Sequence, residues 1–150
     1  MRMCLAVVLT CAAGCAADST SAVFPPGATS FELDQAGGLS PTPAAGSTCT
    51  PANESYTYVL ATKVLSSNVC SSPTADGVYA FVAAQATLSD AAAGQLVAAL
   101  GALEPPPQPC GSDLTATLVV TVPSRETTYD AAECLVGFDD VVDAIHTAMQ

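Results

Sequence analysis

The chain has no tryptophan, a single histidine (His146) and only three basic residues, Arg2, Lys63 and Arg125, against 14 acidic ones. Each shortage excludes something. Nucleic acids and anionic lipid surfaces are bound through Lys/Arg clusters, so a formal charge of −11 argues against both partners. There is no tryptophan to stack sugar rings, which weighs against a glycosidase. No run of apolar residues approaches the roughly 20 that a membrane-spanning helix needs. There is no G-x-S-x-G elbow for a serine hydrolase, and Gly37-Gly38 stands alone rather than in a phosphate-binding loop. The cysteines after the leader contain no C-x₂₋₄-C pair, so a zinc site is excluded on spacing.

What is present begins with MRMCLAVVLTCAAGC. Arg2 supplies a positive start, Cys4 to Ala13 an apolar stretch, and small residues an exit, the pattern of a secretory signal peptide. Ala12-Ala13-Gly14-Cys15 resembles a bacterial lipobox, although Ala12 stands where that family most often has Leu. The resemblance implies cleavage before Cys15 and attachment of a diacylglycerol to its sulfur. The rival exit is ordinary cleavage after Ala17, at Cys15-Ala16-Ala17. The favoured expectation is therefore a lipoprotein signal peptide over 1–14 and an exported protein anchored in the cell envelope by lipid. If the cell has an outer membrane, the protein belongs there, because Ala16 is not the Asp associated with inner-membrane retention.

Residues 15–48 are rich in Ser, Thr, Pro, Gly and Ala and are expected to form a flexible tether. FELD, Phe31 to Asp34, alternates apolar and polar residues within it and suits a short edge strand docked on the domain. One α+β domain is expected over 49–150. Four cysteines remain there, and four cysteines allow three pairings. Cys49–Cys70 and Cys110–Cys134 are preferred, because each closes a local segment holding a predicted hairpin. Each bridge contributes about 3 kcal/mol in the chain-entropy picture. An exported, even-numbered set also argues against a catalytic thiol.

SYTYVL (Ser55 to Leu60) alternates as a half-buried strand, and Val64-Leu65 begins a second one leading to Cys70. Gly77 to Leu88 reads as a strand with Val78, Ala80, Val82, Ala84 and Ala86 on one face. Ser89 caps a helix from Asp90 to Leu103, with Leu96, Val97, Leu100 and Leu103 in one stripe, stopped by Pro105-Pro106-Pro107. Thr115 to Val122 is the cleanest strand, with Ala116, Leu118, Val120 and Val122 facing one way. Pro123 to Glu126 turns the chain, and Thr127 to Tyr129 returns towards Cys134. A last helix spans about Asp140 to Ala148, with Val141, Val142, Ile145 and Met149 apolar. The sum is a small antiparallel sheet of about four to five strands, two helices packed on one face, and two disulfide staples.

Chemistry is thin. Asp139, Asp140 and Asp143 are weak candidates for a calcium or magnesium site, but acids at a helix start favour the dipole without any metal. Asp130 and Glu133 form a possible carboxylate pair that reads more simply as loop charge. His146 sits one turn from Asp143 and reads as a surface histidine. No nucleophile is nominated together with its base, and no cofactor is implied. The expected role is therefore non-catalytic: binding an envelope protein or wall component, with an exposed patch sought around Tyr56, Tyr58, Tyr79 and Phe81.

The segment from Cys110 through LTATLVVTV and TTYD to Cys134 is loosely similar to the latter half of the subtilisin-inhibitor family. The likeness covers about 25 residues of the 150 and consists of a cysteine, a strand, a Tyr and a cysteine. The earlier cysteine spacing departs from that family, and the sequence places no reactive-site loop. The resemblance implies a secreted protease-inhibitor-like domain as the alternative function.

Overall fold

The computed structural model describes residues 22–38 and 42–150. The leader with Cys4 and Cys11, and the expected lipid site Cys15, lie outside the described residues. The elements are β1 (Ser30–Gly37), β2 (Glu54–Val59), β3 (Val64–Cys70), β4 (Phe81–Thr87), α1 (Asp90–Gly101), β5 (Leu114–Val122), β6 (Arg125–Asp130) and α2 (Phe138–Ala148). A single 3-10 turn, Ala132–Cys134, stands before α2. The strands form one antiparallel sheet of six, ordered β4-β3-β2-β1-β5-β6. The class is α+β, and the sheet is larger than the four to five strands expected.

The extra strand comes from the expected tether. β1 holds a central place, paired with β2 from Ser30↔Val59 to Gln35↔Glu54 and with β5 from Ser30↔Thr121 to Gly37↔Leu114. It is not the docked edge strand that FELD suggested. Phe31 and Leu33 are essentially inaccessible, and Val23 and Phe24 join the same core. The domain therefore already includes Val23, well before Cys49, and Val23 to Gly37 are no tether. Alternation explains it: a polar-looking SFELDQAG still buries every second side chain when flanked on both sides.

One face of the sheet is buried. Phe31, Leu33, Tyr56, Tyr58, Leu65, Ala116, Leu118 and Val120 point into a core shared with Leu96 and Leu100 of α1 and Val141 and Ile145 of α2. Phe31 and Tyr58 face each other across β1 and β2 with ring centroids 5.9 Å apart. On the opposite face, Glu32, Asp34, Ser55, Thr57, Asn68 and Thr117 meet in register. Ser89 caps α1 by accepting from the Ala92 amide, and the helix stops at Gly101, short of the prolines. Leu103 is buried beyond its end, and Val97, placed in the apolar stripe by spacing, is 36% exposed. Both expected bridges are present, with Cα–Cα distances of 5.8 Å each. Paired cysteines fit an oxidising, exported location. No helix among the described residues is long and apolar enough to cross a membrane.

Candidate functional site: a pinned proline loop

Between α1 and β5 the chain runs through EPPPQPCGSD. All ten residues from Glu104 to Asp113 are exposed. Four of them, Pro105, Pro106, Pro107 and Pro109, have φ fixed near −65° and no amide hydrogen to offer, so the segment is stiff; it bends at Pro107 and Gln108. Three attachments hold it. At the entrance, Glu104 and Val136 exchange both backbone bonds, at 3.2 and 3.0 Å. In the middle, Cys110 is bonded to Cys134 of the 3-10 turn. At the exit, the Asp113 carbonyl accepts from the Gly38 amide at 2.8 Å. A Cβ on Gly37 would lie 2.6 Å from that carbonyl, so only glycine lets the two chains approach. Beneath the loop is an open cleft of about 350 Å³, walled by Pro105, Pro106, Pro109, Tyr129 and Leu135 beside the bridge. Its lining is mainly apolar, suited to receiving a side chain of a partner rather than to moving protons.

Asp130 lines that cleft, but Glu133 does not share it. The Glu133 carboxylate instead accepts from the Ala116 amide at 2.8 Å. Ala116 lies one residue beyond the last β5–β6 pair, so its amide has lost its ladder partner and the carboxylate replaces it. The two acids line different clefts, and Glu133 is not a loose loop charge.

The second polar cluster joins residues far apart in sequence. The Tyr56 hydroxyl donates to Glu54 Oε2 at 2.8 Å and lies 3.0 Å from His146 Nε2, which is itself 3.4 Å from Glu54 Oε2. A hydroxyl has one hydrogen, here given to the carboxylate, so Nε2 carries the hydrogen shared with the Tyr56 oxygen. Burial first, then the Glu54 hydrogen bond and charge, raise the Tyr56 hydroxyl well above its ordinary value. Ser67 and Val69 from β3 and Met149 line the same cleft, of about 270 Å³. The cluster ties α2 to β2, and no hydrogen bond joins Ser67 to His146. His146 is a surface histidine, as its position suggested, with its side chain 47% exposed, but its partners are Tyr56 and Glu54 rather than Asp143. Nothing in the sequence spacing links positions 54, 56 and 146. The available signal was Tyr56 itself, an inward-facing tyrosine whose hydroxyl requires a partner.

The expected aromatic patch is not there. Tyr56 and Tyr58 are 2% and 1% exposed, because both point inward from β2; of the four, Phe81 alone is largely exposed, at 43%. Asp139 and Asp140 stand in the first turn of α2, where they complement its dipole, and Asp143 lies one turn on. Among the described residues no group of three His, Cys, Asp or Glu side chains is placed to hold a metal ion.

Comparison with family models, curated proteins and solved structures finds no match to this chain.

Proposed function

We propose that this is an exported envelope protein, anchored through lipid on Cys15, whose domain has a non-catalytic binding role directed at an envelope protein or wall component. The observation that carries the binding role is the loop Glu104–Asp113: fully exposed, stiffened by four prolines and fixed at three points. A loop already held in one shape loses little conformational entropy when it docks, which is what a recognition element needs. The anchor rests on the leader and its lipobox-like end. The strand order is compatible with it: the start of β1 meets Thr121, whereas the loop is held at the opposite end of β1, where Gly38 bonds Asp113.

The test is crosslinking in cells, followed by purification from solubilised envelopes, with the wild type and a Cys110→Ser/Cys134→Ser variant compared. Loop-directed binding predicts a crosslinked partner with the wild type that is lost when the bridge is removed. Equal capture by both would refute it. The intact mass of the mature protein, beginning at Cys15 with a diacylglyceryl or triacyl increment, tests the anchor separately; a start at Asp18 without lipid refutes it.

The same loop favours a second reading, a protease-inhibitor-like domain. An exposed, proline-stiffened, disulfide-pinned segment can be offered to a protease cleft. Stoichiometric block of a subtilisin-type protease supports it, and unchanged protease activity at excess protein ends it.

A further inference from the structure

The sheet has two edges, and they are built differently. β6, RETTYD, carries Arg125, Glu126 and Asp130, charges that discourage another strand from pairing. β4, FVAAQAT, has no charge and no proline over seven residues and is exposed along nearly its whole length. Val82 is 56% exposed and Phe81 43%.

The hydrogen-bond parity of β4 is fixed by its ends. Ser71 N donates to Ala80 O, and Leu88 N donates to Lys63 O. The even-numbered residues therefore bond inward to β3, and Phe81, Ala83, Gln85 and Thr87 direct their amides and carbonyls outward. At Tyr79 the outward groups are occupied, since Thr48 N donates to its carbonyl and its amide donates to Ser47 Oγ. The open ladder thus runs from Phe81 to Thr87.

We propose that this edge pairs with the same edge of a second copy, antiparallel, about a two-fold axis at Ala84. That register opposes Phe81 to Thr87 and Ala83 to Gln85, so all four outward residues find a partner strand. Val82 meets Ala86 on the buried-face side, and Ala84 meets Ala84 at the axis, where the closest Cα approach, about 4.5 Å, suits a small side chain. A second copy is the occupant the composition selects. In a chain with a formal charge of −11, β4 is a stretch where two copies meet without opposing like charges. The Lys63–Asp90 pair at its exit neutralises the nearest acid. A seven-residue ladder buries less than the roughly 1,000 Å² of a stable interface, so the dimer is weak and concentration-dependent.

The test uses the full exported chain, in mild detergent where it carries lipid. Sedimentation velocity from about 5 to 500 μM, a range that spans weak association, is expected to show monomer passing to dimer. Ala83→Pro removes one outward amide and none of the inward ladder, so it is expected to shift the midpoint at least tenfold higher while unfolding as the wild type does. Cysteine scanning fixes the register independently of that variant. On oxidation Ala84→Cys is expected to form a covalent dimer at least tenfold faster than Val82→Cys, because only position 84 faces itself. Monomer at every concentration, a dimer unaffected by Ala83→Pro, or self-linking of Val82→Cys as fast as of Ala84→Cys would each overturn the proposal.

Discussion

Replacing Gly37 by alanine drives a methyl group against the backbone carbonyl of Asp113. The residue ends β1 with φ +100°, and its added Cβ would stand 2.6 Å from the Asp113 oxygen. Two costs add. A side chain held at such a φ costs about 1–3 kcal/mol. Moving the Asp113 carbonyl weakens the 2.8 Å bond it accepts from Gly38, a loss of about 1 kcal/mol. Gly37→Ala is therefore expected to lose about 2–4 kcal/mol. Urea unfolding with both bridges intact reads this as a fall in midpoint of about 1 M or more, at a slope near 2 kcal/mol/M. Gly38→Ala is the internal control. It has φ +82° but nothing within 4 Å of a new Cβ, so it carries the backbone cost alone. The reasoning fails if Gly37→Ala unfolds within about 0.5 kcal/mol of the wild type, or if Gly38→Ala costs as much.

Leu33→Ala, in the middle of the central strand, is expected to cost about 2–5 kcal/mol by denaturant unfolding, whereas a change in a docked tether would be close to neutral. Removing the Cys110–Cys134 bridge, which spans 24 residues, is expected to cost about 3 kcal/mol by the same assay and to make Glu104–Asp113 susceptible to limited proteolysis. The Tyr56 hydroxyl titrates higher in the folded chain than in the unfolded one, whose value is about 10. Its contribution is therefore complete below pH about 10 and declines as pH rises above it, since the unfolded state releases that proton first. Unfolding midpoints from pH 8 to 11 should fall more steeply for the wild type than for Tyr56→Phe; equal slopes would contradict the cluster.

Much of the architecture was legible because period and punctuation agreed. Ser89 before an alanine-rich stretch gave the start of α1, and three of the four residues in its stripe are buried. Leu114–Val122 alternates so cleanly that the face of β5 could be read directly. Both disulfide pairings follow from local closure. Position within the sheet was not legible. FELD carries the same alternation whether it lies at an edge or in the middle, and neighbours, not sequence, decide which. The aromatic patch failed for the related reason that alternation says which residues share a face, but not which face is covered. The Glu54–Tyr56–His146 cluster was invisible because its members meet only after β2 and α2 have packed.

The place of β1 also sets an order of assembly. Its partner in β2 follows within the next hairpin, but its other partner arrives much later: Thr29 meets Thr121 across 92 residues, and Ala36 meets Thr115 across 79. A chain that crosses a membrane N-terminus first can form β1 to β4 and close Cys49–Cys70 while one side of β1 is still bare. Until β5 emerges, Phe31 and Leu33 lack half their packing. Folding of this protein is therefore governed by its last third. A truncation before Leu114 would leave the central strand as an open, adhesive margin, so a stalled or clipped chain is expected to be a substrate for chaperones and proteases rather than a smaller working domain.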